Sequence, residues 1–147
     1  MSTSVMNSVS ARNQISGRIT DIQQGAAITI ATLSANGITI VSAITNQAAQ
    51  DLGLKKNDAV VALVKSTEAI IAKGDVSAMK ISARNKVSGR VEEVKKGSAM
   101  GSVSIDAGQL KITAAITRQA IDDLQLIPGD QVTAFFKATE VMLQKAA

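Results

Sequence analysis

The sequence predicts an all-β chain of two tandem five-stranded barrels, each carrying one short helix, and three observations carry that expectation. The block Ser10-Ala11-Arg12-Asn13 returns unchanged as Ser82-Ala83-Arg84-Asn85, 72 residues later. Sliding 10–73 onto 82–145 needs no gap and leaves about 25 of roughly 64 aligned pairs identical, so one small unit is written twice. Within each unit, short runs rich in Ile, Val and Thr alternate with turn residues. One segment per unit breaks that pattern with helix formers behind a capping Thr.

In the first unit the runs place strands at 13–22, 26–34, 38–44, 59–65 and 68–72. Gln24-Gly25, Asn36-Gly37 and Lys56-Asn57-Asp58 punctuate them as turns. The segment after Thr45 has a cap residue, good helix formers and a stop at Gly53, which predicts a short helix between the third and fourth strands. The second unit repeats the plan with strands at 85–94, 99–106, 110–116, 131–137 and 140–144, and a helix over 118–124 capped by Thr117. There Pro128-Gly129-Asp130 supplies the turn that the first unit makes with Lys56-Asn57-Asp58. Five strands with one helix between the third and fourth is the outline of an OB-like Greek-key barrel. The expected organisation is an N-terminal tail (1–9), a first domain (10–73), a short connector (74–79) that holds the halves near each other, and a second domain (80–147).

A unit of about 65 residues is marginal alone, so stability must come from docking of the halves or from oligomerisation. The chain of 147 residues has no Cys, His, Trp or Tyr and only two Phe. Without His or Cys there is no conventional catalytic triad, no thiol nucleophile and no ordinary zinc or iron site, so neither catalysis nor direct metal ligation is expected. The doublets Glu92-Glu93 and Asp122-Asp123 do not form a working carboxylate pair, because neighbours in sequence point apart on a strand or a helix. Met1–Asn7 lacks the charged start and apolar run of a secretory signal, and no stretch is long and apolar enough for a membrane span. A soluble cytoplasmic protein is the expectation, with no membrane partner.

A sequence pI near 9.6 raises nucleic acid as a ligand for an OB-like fold. Single-strand binders stack bases on exposed aromatics, and Phe135 and Phe136 stand where the first unit has Leu63 and Val64, which favours a core role. The net charge of +4 divides as +1 over 1–72 and +3 over 73–147, which is no basic stripe. Nucleic-acid binding is therefore the alternative reading, not the expected one.

Core positions drift among Ile, Val, Leu, Met and Phe between the units, as volume-tolerant packing allows, whereas several polar residues are held in register. Ser10 and Arg12 precede the first strand, Thr45 caps the helix and Lys65 ends the fourth strand, with Ser82, Arg84, Thr117 and Lys137 as their counterparts. Brought together at a barrel mouth or a subunit interface, hydroxyls, guanidinium and ammonium groups would hold a tetrahedral dianion by charge-assisted hydrogen bonds. The competing readings are plain ones: Thr45 and Thr117 as caps only, Arg12 and Arg84 paired with Glu68 and Glu140, and Gly17, Gly25, Gly89 and Gly97 serving turns or close backbone approach.

The run Ser-Ala-Arg-Asn-x-hydrophobic-x-Gly-x-hydrophobic, then Gly25 or Gly97, Ala-Ile-Thr, Leu-x-Leu, Asp58 or Asp130, and finally Lys-x-Thr-Glu, resembles the Mop domain of the molbindins. The resemblance covers nearly the whole chain twice. It implies a cytoplasmic protein that binds and stores molybdate or tungstate as the oxyanion, with no organic cofactor and no turnover; a molybdopterin carrier is the older alternative. It also implies a homotrimer, a pseudo-hexamer of domains, with oxyanions at domain and subunit interfaces. Carried over residue by residue, the oxyanion-binding positions are Ser10, Arg12, Asn13, Thr45, Lys65 and Ser66, then Ser82, Arg84, Asn85, Thr117, Lys137 and Ala138. The chain departs from the family pattern at Ala48 and Ala120, where members often carry Ser, and at Ala138, which replaces the hydroxyl of Ser66. Each lost hydroxyl would weaken binding by about 1 kcal/mol unless a backbone N–H does the same work.

Overall fold

A computed structural model describes residues 9–146, so most of the expected N-terminal tail lies outside the described residues. The strands of the first repeat are β1 (Asn13–Gln24), β2 (Ile28–Ala35), β3 (Ile38–Thr45), β4 (Ala59–Val64) and β5 (Ile70–Lys73). Those of the second are β6 (Asn85–Lys96), β7 (Met100–Asp106), β8 (Lys111–Thr117), β9 (Gln131–Phe136) and β10 (Met142–Lys145). The helices run Asn46–Leu52 and Arg118–Leu124, each behind the expected Thr. Several expected bounds shift by one or two residues. β1 and β6 continue to residues 24 and 96, the fourth strands stop one residue earlier than expected, and the fifth strands start later, because Ser66–Glu68 and Ala138–Glu140 form single 3-10 turns.

The chain divides into two compact units that do not follow the repeat boundaries. One comprises residues up to 65 together with 137 onward; the other comprises 66–136. The sheet of the first is ordered β10-β4-β1-β2-β3 and that of the second β5-β9-β6-β7-β8. Each unit is therefore closed by the fifth strand of the other repeat. All printed pairings are antiparallel, with Met142 opposite Leu63 in the first sheet and Ile70 opposite Phe135 in the second. The connector is no free tether either: the amide of Gly74 donates to Gln131 O at 2.6 Å, and that of Val76 to Thr133 Oγ1 at 3.1 Å, which fixes it to the second unit.

The long first strand explains how one sheet can curl. The beginning of β1 pairs with β4 and its end with β2, and a register shift between Ile19 and Asp21 bends it. β6 bends in the same way between Val91 and Glu93, as bulges at barrel corners do. In the first unit Ser42 on β3 donates from Oγ to Val141 O at 2.7 Å, tying the returning segment to the far strand. Gly17 sits where β1 passes β2, and a Cβ there would lie 2.6 Å from Ser34 O, so close backbone approach accounts for the Gly17 and Gly89 identity. Inside lie alternating apolar residues such as Ile15, Ile19, Leu33 and Ile40 in the first unit, and Val91, Ile105, Ile112 and Phe136 in the second.

The two helix ends differ in chemistry. Both use the left-handed conformation, at Gly53 (φ 59°) and at Gln125 (φ 51°). A side chain there costs about 1 kcal/mol, so Gln125→Gly should raise the unfolding free energy by that amount and move the midpoint of chemical denaturation upward. A lowered midpoint would show that the Gln125 side chain contributes more than its backbone strain removes.

Candidate functional site

The duplicated tetrapeptide alternates on the β period. Ser10 and Arg12 face outward, while Ala11 is 6% and Asn13 is 2% exposed. Ala11 packs with Val61 and Leu63, and Val9 lies against them. The second copy behaves identically, with Ser82 and Arg84 outward and Ala83 and Asn85 buried. Two residues of each block thus anchor the entry to the long strand, and two are left for solvent or a ligand. Asn13 and Asn85 are both buried, and each has an interaction within the protein.

Register places the fourth-strand lysines at the same corner. Asn13 pairs with Val64, so Arg12 and Lys65 leave the sheet from one end of the β1–β4 ladder. Asn85 pairs with Phe136, which sets Arg84 and Lys137 at the matching end of the second sheet. All four cations are exposed, and among the described residues none of them makes a hydrogen bond or ion pair through its side chain. Ser66 opens the 3-10 turn after Lys65, and Ala138 opens its counterpart after Lys137.

Thr45 and Thr117 stand apart from these corners. Thr45 pairs with Ile28 at the end of the β2–β3 ladder, near Gln24, whereas Asn13 is at the other end of β1. The structure does not bring Thr45 to Arg12 and Lys65 within one unit, nor Thr117 to Arg84. Each hydroxyl accepts the amide three residues on, from Ala48 or Ala120, at 3.1 Å. That is a capping bond, so Ala in place of Ser at 48 and 120 leaves the helix start itself intact.

Most other polar identities resolve into scaffolding. Arg18 and Arg90 each donate from Nη1 to a turn carbonyl, Asn57 O and Gly129 O, at 3.0 Å. Asp51 and Asp123 accept from Gln47 and Gln119 one helical turn earlier, both at 2.8 Å. Removing these leaves the outward Ser-x-Arg and the Lys at the end of the fourth strand among the matched polar positions to which the fold gives no side-chain task. Sequence reasoning missed the residue after each capping Thr. Asn46 bonds Gly25 O at 3.1 Å and receives the buried Thr29 hydroxyl at 2.7 Å; Arg118 bonds Gly97 O at 3.2 Å and pairs with Asp122. Both hold the loop before β2 or β7 against the helix start; their differing identities at matched positions hid the shared role.

The aromatic residues have no part in a surface. Phe135 and Phe136 are 2% and 1% exposed, which removes them as stacking platforms for bases. No helix among the described residues is long and apolar enough to cross a membrane.

Comparison with known proteins agrees with this layout. The TOBE domain model matches twice, at residues 9–71 and 81–143. The chain is 38% identical to the molybdenum transport protein ModE of Herbaspirillum seropedicae over 136 residues, covering 91% of this chain and 50% of that protein. It is 34% identical to the molybdenum-pterin-binding protein MopA of Rhodobacter capsulatus, covering 91% of this chain and 51% of that one. The chain thus spans about half the length of these two curated relatives. Among solved structures, the cytoplasmic molybdate-binding protein ModG with molybdate bound superposes with a TM-score of 0.89 at 28% identity, over 94% of this chain and 99% of that one. The chain belongs to the TOBE-domain family and carries the domain twice, in the tandem arrangement of the molbindins.

Proposed function

We propose that this protein binds molybdate or tungstate as the intact oxyanion and stores it in the cytoplasm without turnover. The observation that carries the reading is the set of four outward cations, Arg12, Lys65, Arg84 and Lys137, placed in pairs at strand ends with no internal partner. Guanidinium and ammonium donors free of carboxylates suit a tetrahedral dianion, and the Ser10 and Ser82 hydroxyls beside them add neutral donors. The molybdate held by ModG, over whose length this chain aligns, supports the choice of anion.

The separation of Thr45 from Arg12 gives the assembly a role. The helix-start end of one subunit meets the Arg-Lys end of another, so that Ser10, Arg12, Asn13, Lys65 and Ser66 complete a site with Thr45 across a homotrimer interface. Ser82, Arg84, Asn85, Lys137 and Ala138 do the same with Thr117. Exposed apolar residues at matched positions support such an interface: Ile28 and Met100 open the strands beside the two Thr residues, and Ile70 and Met142 open the fifth strands. Covering them on assembly would stabilise units too small to be robust alone.

Calorimetric titration of the full chain with molybdate, tungstate, sulfate and phosphate tests the reading, with light scattering on the same sample. The expected result is saturable binding of the first two anions to a trimer. Equal weak binding of all four, or copurification of a fluorescent pterin in their place, would overturn the storage role; a monomer would remove the shared sites.

A further inference from the structure

In each unit the closing strand comes from the other repeat, is only four residues long, lies at the sheet edge, and ends in a lysine. Short edge strands fray readily, because one side of their backbone has no ladder partner. Lys145 Nζ donates to Gly53 O at 3.1 Å and lies 3.4 Å from Asp58 Oδ2. Lys73 Nζ donates to Leu124 O at 2.9 Å and Gln125 O at 3.2 Å, and lies 3.4 Å from Asp130 Oδ2. These carbonyls belong to the end of the short helix, where intrahelical partners run out and partial negative charge collects. Neither helix has a basic residue in its own last turn, so the strand lysine supplies the missing cation.

The aspartates are fixed in advance. Asp58 Oδ2 accepts the Lys55 amide at 2.8 Å, and Asp130 Oδ2 accepts that of Ile127 at 3.0 Å. The Lys55 amide first, with the Lys145 ammonium behind it, holds the Asp58 carboxyl below its ordinary range. Lysine and aspartate match across the repeat in both copies, whereas the strand bodies between them differ, Ile70-Ile71-Ala72 against Met142-Leu143-Gln144.

We propose that Lys73 and Lys145 are latches for the exchanged strands: each ammonium joins the end of an incoming strand to the helix terminus and the loop aspartate of the unit it completes. The ladder alone positions the strand, and the latch holds it closed. Closure of the two units is then controlled separately, one lysine to each.

Amide hydrogen exchange on the full chain, read by mass spectrometry over the two closing strands, tests this. Lys145→Met should speed exchange over 142–145 by about tenfold and leave 70–73 unchanged; Lys73→Met should do the reverse. Asp58→Asn, which keeps the carbonyl bond, should give a smaller rise of about threefold confined to 142–145, and it serves as the variant of record if Lys145→Met does not fold. Unchanged exchange in the strand that carries the substitution, or an equal rise in both strands from a single substitution, would overturn the proposal.

Discussion

Replacing Arg12 and Arg84 together by Ala should weaken molybdate binding by about one to two orders of magnitude per site, with little change in stability. A hydrogen bond to a charged group contributes about 1.5–3 kcal/mol, and each 1.4 kcal/mol is tenfold in affinity. Both guanidinium groups are exposed and have no partner among the described residues, so their removal leaves no orphaned donor or acceptor in the fold. Surface substitutions of this kind change stability by about 0.5 kcal/mol at most. Arg18 and Arg90 are the matched controls: each is bonded to a turn carbonyl, so Ala there should lower the melting temperature and leave affinity alone. Arg12→Lys should recover only part of the loss, because the ammonium restores the charge but not the planar fork. Calorimetry and a thermal melt on each variant separate these cases. Wild-type affinity in the double Ala variant would remove Arg12 and Arg84 from the site.

How much of this was legible depended on the range of each interaction. Strand centres, both helices and their Thr caps are local features, and the alternation of β-formers with turn residues carried them. The 3-10 turns at Ser66 and Ala138 were not legible, since Ser-Thr-Glu and Ala-Thr-Glu carry no helical period of their own. The strand exchange could not be read at all. Ile70–Lys73 and Met142–Lys145 present the same edge pattern, so a repeat of 72 residues is equally compatible with a strand folding into its own unit or into its twin. For the site, the Ser-Ala-Arg-Asn block already held the answer in its period of two: residues at alternate positions of an extended segment face opposite ways, which divides Ser10 and Arg12 from Ala11 and Asn13. What the period could not supply is strand order, and only strand order shows that Thr45 and Arg12 occupy opposite ends of β1. A candidate set that reads as one cluster along the sequence is two separate groups in the folded unit.

Phe136→Ala should destabilise the protein by about 3–5 kcal/mol, the range for emptying a fully buried aromatic position. Phe136 is 1% exposed on the central side of β9, opposite Asn85 in register, with Lys137 directly after it. In the first unit Val64 fills the equivalent place opposite Asn13, and Val64 is equally buried. The two units therefore solve the same corner with different volumes, and Phe136→Val tests whether the second core can relax around the smaller side chain. It should cost less than Phe136→Ala, yet more than nothing, because neighbours packed around a ring close only part of the space it leaves. Differential scanning calorimetry gives the cost, and at about 2–4 °C per kcal/mol for a chain of this size the Ala variant should melt roughly 10 °C lower. Affinity measured well below that melt separates scaffold from ligand contact. Phe136 supports the rung from which Arg84 and Lys137 project, but touches no solvent, so Phe136→Ala should weaken binding less than Arg84→Ala while destabilising the fold far more. The reverse order would mean that the corner's rigidity, not its charge, holds the anion.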